Sequence, residues 1–578
     1  MSFSTIRSIA TSSLSAAQYQ MSVTSSNVAN ADTEGYTRKT ATQAAVVSSG
    51  VGTGVTITAV TSSVDKYLVK DLVTAASALG YAEATASFTT SLQSLYGTTS
   101  GDSGTSLANS LVSLESAMSA LAATPESETL KAQAVQALED VAAQLRETSS
   151  GIQGLRADGD AGIEDAVTSV NDALETIADL NDQIAATAAR GGSTADLEDL
   201  RNTALQVVAA EMDVSYYVNS DNQMRIYTSG GTTLLDSSVH ALSYNAASTV
   251  TADTTFAAIA VDGKDVTGQI GSGTIGALLT LRDETLVASQ DELDSLASGL
   301  IATLNDTYNG GSAVPPPESL TGSATVAGAD TFSATGTLRI AVSDAAGSLV
   351  SYADLDLSSY ATVDEVVSAL DALDGIAASL DADGHLVVAA EVAGQGVSLA
   401  DLDASVGSAG AGFSASFGMN DLLTGTGAAT IAVRADILAQ PGTLATGGLG
   451  TDGTLTVGTV AISSGANGIA QSLSDVLGGD TTFAAAGSLA AGEESFADHA
   501  ARIVSAAAGR ATSAATELTS KETAQQTLAD LFSSQTGVNL DEETARLSEL
   551  EQQYSTAAQL LQVLNAMFDA LLTAAELA

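Results

Sequence analysis

The sequence predicts a multidomain α+β protein. It would have terminal helices pairing as an inner coiled coil, an elongated helical-bundle rod domain, and outer, mostly β modules inserted in the middle. Three observations carry that expectation. A heptad seam runs down the last forty residues, through Leu547, Leu550, Tyr554, Ala557, Leu561, Leu564, Phe568 and Leu571. A second seam, Ile163, Val167, Val170, Leu174, Ile177, Asn181 and Ile184, lies in the first third. Between the helical stretches sit short alternating segments separated by Gly, Asn, Asp and Pro.

Composition sets the bounds. At 578 residues the chain exceeds one compact core, and its aromatic content of 4% requires cores built from Ala, Val, Leu and Ile. Nineteen basic against 68 acidic residues give a net charge of −49, which repels phosphate backbones and anionic membranes, so neither nucleic acid nor membrane is expected as a partner. The absence of cysteine excludes disulfide scaffolds and thiolate metal sites. The N-terminus lacks the apolar core of a secretory signal, and no uninterrupted run of 18 apolar residues marks a membrane span.

In chain order, residues 2–31 read as a weak Ser/Ala-rich amphipathic helix. Phe3, Ala10, Leu14, Ala17, Met21 and Val28 share a heptad frame that Arg7 and Thr24 interrupt. Residues 35–62 are not helical in pattern: Gly50, Gly52 and Gly54 break the chain, and Val55, Ile57 and Ala59 alternate like a short strand. Residues 64–212 are mostly helical, with Thr124–Pro125 as a start signal and Gly191–Gly192 as a stop. Asn181 within the seam reads as a partly exposed side chain. Strands follow at Val214–Val218 and Met224–Thr228, and helix returns at 274–308. Pro315 to Pro317 and Pro441 bracket an insert, with a capping box at Thr362 and Glu365. From about 493 the chain is helical, broken at Gly537. The expected domains are 1–35 with 540–578 (coiled-coil core, disordered in the monomer), 36–212 with 271–312 and 441–539 (helical rod), 213–270 (short strands) and 315–440 (α+β or β insert).

No catalytic constellation emerges. Gly271-Ser272-Gly273-Thr274-Ile275-Gly276 matches a dinucleotide fingerprint, but a second helix follows where a parallel strand should, so it reads as a Gly-rich turn. Asp381-Ala382-Asp383-Gly384 is half a calcium loop and reads as a hairpin turn. His240, His385 and His499 are far apart and form no helical metal pair. No catalytic residue, metal ligand or cofactor is therefore expected.

The most specific stretch is Asn27-Val28-Ala29-Asn30-Ala31-Asp32-Thr33-Glu34-Gly35-Tyr36-Thr37-Arg38. It resembles the Asn-x-Ala-Asn-x-x-Thr-Pro-Gly-Tyr-Ser-Arg signature of flagellar rod, hook and hook-associated proteins, with Glu34 in place of proline and Thr37 in place of serine. Tyr36 and Arg38 are expected to anchor this turn to a neighbour. Gly537-Val538-Asn539-Leu540-Asp541-Glu542-Glu543, then Tyr554 and Met567 to Leu572, is similar to the C-terminus of the hook-associated protein 1 family, the hook–filament junction proteins. Asp196 to Asn202 and Gly276 to Asp283 resemble that family's inner-domain segments. The resemblance implies a non-enzymatic structural component of the extracellular bacterial flagellum. It would be secreted through the flagellar type III apparatus and would self-assemble. Implied partners are further copies, hook protein, a second junction protein with the filament, and a dedicated export chaperone. Asn27, Asn30, Thr33, Gly35, Tyr36 and Arg38 would form the assembly motif, and the C-terminal seam would pair helices and bind the chaperone. The alternatives are hook or another axial protein, or, from a different class, a secreted acidic adhesin.

Overall fold

The computed structural model describes residues 3–33, 35–48, 50–62, 64–97 and 104–576. Glu34, at the proline position of the motif, and the outermost residues of both terminal segments lie outside them. The fold is α+β, and the chain divides into two compact units. One comprises residues 1–88, 157–282 and 512–578, the other 89–156 and 283–511.

In the first unit the N-terminal helix (Phe3–Ala29) packs along the C-terminal helix (Leu540–Glu576). Asn539 caps the latter: its side-chain oxygen accepts the amides of Asp541 and Glu542 at 3.0 and 3.3 Å. Between the N-terminal helix and the next one (Lys66–Leu95) stands a long antiparallel hairpin of strands Lys39–Ser48 and Val51–Ser62. The first of these strands has no apolar alternation, because both of its faces lie open from Thr42 to Ser48. For that reason pattern reading finds only part of the hairpin.

The rest of this unit is built on the seam of the long helix Glu128–Ala189. Ile163, Val167, Val170, Leu174, Ile177 and Ile184 are all buried, packed with Leu205 and Val208 of helix Ala195–Glu211 and with Met224 and Ile226 of a three-stranded sheet. Asn181 is buried too, contrary to expectation. Its side-chain amide donates to the Met224 carbonyl and accepts the Met224 N–H, both at 3.0 Å, so within the seam it pins a strand edge. Gly191, at φ +74°, closes the helix, with the Gly192 amide reaching back to the Thr187 carbonyl. The fingerprint-like glycines do form a turn. The amides of Gly271 and Ser272 donate to the Asp213 carboxylate, which occupies the anion position at the start of helix Gly273–Thr280. Asp160, Tyr244 and Arg282 form a buried polar triad nearby.

The second unit packs helix Leu107–Ala123, the first half of the long helix and helix Leu286–Tyr308 around Leu114, Met118, Leu138, Leu145, Leu293, Leu296 and Phe496. The Thr124–Pro125 signal does not begin a helix. The Thr124 amide bonds to the Leu121 carbonyl and ends the preceding helix, and the Ser127 hydroxyl accepts the Leu130 amide to start the next. The insert has its own core. Two three-stranded antiparallel sheets and helix Val363–Asp371 enclose Leu338, Ile340, Val366, Leu386, Val397, Phe413 and Phe417. The Thr362 hydroxyl caps that helix, while the Glu365 carboxylate accepts the Ala361 amide instead of the cap's own. Residues 444–467, expected within a helical domain, are irregular apart from isolated bridges at Gly447 and Val460.

Candidate functional site

The N-terminal motif is densely hydrogen-bonded. The Asn27 amide is fully buried and uses all four of its hydrogen-bonding positions. Nδ2 donates to the Lys39 carbonyl and to Glu543 Oε2, both at 2.9 Å. Oδ1 accepts the Lys39 N–H and the Tyr36 hydroxyl, both at 3.0 Å. Arg38 completes the joint: Nε and Nη2 each reach Glu543 Oε1 at 2.7 Å, Nη1 lies 3.3 Å from Glu542, and its amide donates to the Thr536 carbonyl. Asn30 and Thr33 shape the turn. The Asn30 side chain donates to the Ser26 carbonyl, its main-chain carbonyl accepts the Thr33 amide, and the Thr33 carbonyl accepts the Tyr36 amide. Gly35 sits at φ +76°, where a Cβ would approach Thr203 Oγ1 to 2.7 Å, so glycine is required for both conformation and space.

Thr37 and Lys39 carry the turn onto helix Ala195–Glu211. The Thr37 amide and hydroxyl donate to the Asp199 carboxylate at 2.8–2.9 Å. The buried Lys39 ammonium pairs with Asp199, approaches Asp196 at 3.4 Å and lies 3.9 Å over the Tyr36 ring. Burial pushes the Asp199 carboxyl up, and the bonds from Lys39 and Thr37 pull it back. A buried pair of this kind adds little net stability, but removing either member strands the other. Tyr36 and Arg38 anchor the turn to neighbouring segments of the same chain, because Asn27 and Glu543 lie within reach. Lys39 has no role in the sequence reading, and Asp199 and Glu543 stand there only within longer family-like segments, without assigned partners. Their signal is a rare pair of adjacent cations in a chain of 19, with acid partners more than 150 residues away.

The C-terminal seam divides. Leu550, Ala557 and Leu564 are buried, and Leu547, Tyr554 and Leu561 are half-buried. Phe568 and Leu571, both 55% exposed, have no such cover. Along the N-terminal helix the packed face is Ala10, Ala17, Gln20, Thr24 and Asn27. The expected Phe3, Leu14, Met21 and Val28 are only half-buried, and Thr24 belongs to the packed face instead of interrupting it. Small and polar residues there let the two helices approach closely. A second apolar stripe, Leu560, Val563 and Met567, three and four residues apart, stays about half exposed on the C-terminal helix. A cleft of about 630 Å³ opens between the terminal helices, lined by Phe3, Arg7, Thr11, Leu564 and Phe568. An 18-residue window within 496–575 reaches mean hydropathy 1.2, long and apolar enough by those measures to cross a membrane, although no unbroken run of 18 apolar residues occurs there.

Elsewhere, ligand atoms of Asp381, Asp383 and His385 lie within 4.8 Å of one another. They belong to the tight turn between strands Ile376–Leu380 and His385–Ala390, and the Asp381 carboxylate accepts the amides of Asp383 and His385.

Three family models match the chain. Residues 92–316 match the flagellar hook-associated protein FlgK helical domain, residues 8–37 the flagella basal body rod protein, and residues 531–574 the C-terminal domain of the flagellar basal body rod FlgEFG proteins. The two terminal models are those of rod proteins; the helical model is the one that discriminates. The chain belongs to the flagellar hook-associated FlgK family. The solved structure of the flagellar hook junction protein FlgK from Burkholderia pseudomallei shares its fold, at 14% identity and a TM-score of 0.50, covering 81% of this chain and all of that one. No curated protein sequence matches. As a FlgK-family member the chain is a structural component of the flagellar hook–filament junction. The motif of residues 27–38 lies across the edge of one matched segment, and Glu543 lies within another.

Proposed function

We propose that this chain joins hook to filament through its paired terminal helices, which act as one half of a larger helical core completed by further copies. The observation that carries this reading is the stripe Leu560, Val563 and Met567. The C-terminal helix already buries one apolar face against the N-terminal helix, yet keeps a second at helical spacing in water. Burying the exposed halves of these side chains is worth about 1 kcal/mol each, enough across several copies to drive association. The motif of Asn27, Asn30, Thr33, Gly35, Tyr36 and Arg38 fixes the angle at which the helix pair leaves the helical body. By this reading the contacts between copies are heterologous, with hook protein below and a second junction protein and the filament above. The chain is exported by the flagellar type III apparatus, and a dedicated chaperone covers the seam of Leu547 to Leu571 until assembly.

Deleting the gene tests the reading. Hooks should remain intact and bare, with filament subunits shed into the medium. Full filaments on the deletion strain, or missing hooks, overturn it. Hook protein is the closest alternative, and labelled antibody bound along the whole hook instead of at its tip would favour it.

A further inference from the structure

We propose that the hairpin of strands Lys39–Ser48 and Val51–Ser62 is a second self-association surface, taking the same region of another copy of this chain. The inference rests on the structural reading above but uses residues outside the terminal helices. Residues 40–64 contain no Asp, Glu, Lys, Arg or His, in a chain of net charge −49. Copies that carry the same large charge repel over a Debye length of about 10 Å at 0.1 M salt, so they approach most easily where neither presents charge. The hairpin is such a place.

The backbone supports the same conclusion. The hairpin is an isolated two-stranded sheet, so each strand has one edge outside the ladder. Strand Val51–Ser62 leans on the N-terminal helix, where the Val55 amide donates to Ser12 Oγ at 3.1 Å. Strand Lys39–Ser48 meets that helix only at its start, where Asn27 and Gln20 bond Lys39 and Ala41, and is exposed from Thr42 to Ser48. Folded proteins normally blunt such an edge with lysine, proline or inward-pointing charge, and this strand has none of these beyond Lys39, which is buried elsewhere. The tip adds apolar surface: Val46, Val47 and Val51 are 40%, 62% and 50% exposed. A two-stranded ribbon is marginal alone, and pairing with a second hairpin supplies what its own chain does not.

The chain has no cysteine, so a Val47→Cys variant carries one thiol at the tip and Ser220→Cys one on an unrelated exposed turn. Flagella sheared from cells expressing each variant are treated with a short bis-maleimide, and Val51→Cys substitutes if Val47→Cys cells fail to swim. The expected result is a covalent dimer of this chain, about tenfold more abundant from Val47→Cys than from Ser220→Cys. Adding Thr42→Asp should reduce that dimer about tenfold, the scale on which a like charge opposes contact. Equal yields from both thiols, or an adduct with a protein of another mass, overturn the proposal while leaving the junction reading intact. Absence of the chain from sheared flagella overturns the junction reading, and the proposal with it.

Discussion

Replacing Asn27 by alanine tests the joint between the two ends of the chain. The substitution removes four hydrogen bonds at once. Three of the groups left behind, the Lys39 N–H, the Lys39 carbonyl and Glu543 Oε2, belong to residues no more than 5% exposed. The Tyr36 hydroxyl is half-buried and can turn to water. An orphaned buried polar group costs about 1–3 kcal/mol, so three such groups near the low end give about 3–4 kcal/mol for the docking of the terminal helices. Because the loss is local, it should appear as local opening before global unfolding. Amide exchange over residues 540–550 should accelerate roughly 100- to 1000-fold, while residues 286–304 in the other unit keep their protection. The double variant with Glu543→Ala should cost less than the sum of the singles, since each single variant strands the other partner. An acceleration below about tenfold, or strict additivity, would refute the proposed geometry.

Three further outcomes are expected. Phe568→Ala should leave the melting of the isolated chain almost unchanged, since that ring is 55% exposed, yet cost about 3–5 kcal/mol in an assembled core that buries it; swimming at the normal rate counts against the seam, and strong exchange protection of 557–575 in dilute monomer would show that assembly adds nothing to it. His499 is held below its ordinary range by burial, which outweighs its 2.7 Å contact with Glu494 and the field of Glu292, while Arg502 opposes its charging further. Its folded pKa being depressed, the unfolded chain binds the extra proton first, so the second unit should lose stability as pH falls below about 6.5; a melting temperature that does not drop in that window, or drops equally in His499→Phe, removes this group as the cause. Gly273→Ala forces a Cβ to within 2.5 Å of the Met212 amide nitrogen at φ +75° and should cost about 1–3 kcal/mol, read as a lower urea midpoint.

What sequence reading recovers follows from what sets local pattern. The seams at Ile163–Ile184 and Leu547–Leu564 are legible because one face of each helix is buried and heptad spacing records it. The strands at Val214–Val218 and Met224–Thr228 alternate for the equivalent reason. The open strand Lys39–Ser48 buries neither face and leaves no alternation to read. The N-terminal helix misleads because its packed face is Ala, Gln, Thr and Asn, while its larger apolar residues lie beside that face. At the joint, Asn27, Gly35, Tyr36 and Arg38 can be named from their motif. Their pairing with Asp199 and Glu543 cannot, since the contacts span 162 and 505 residues; both acids fall in family-like segments, but nothing local says which carboxylate meets which motif residue.

The few cations of this protein are largely committed within it. Arg38, Lys39, Arg282, Arg339, Arg434 and Arg510 each bind a carboxylate of their own chain. What remains to face outward is strongly acidic, and in the proposed assembly many copies would bring that charge together. Counter-ions would then have to gather between subunits for that assembly to hold, so dissolved salt would act as one of its building materials. Rinsing isolated flagella into very dilute buffer should therefore loosen this joint.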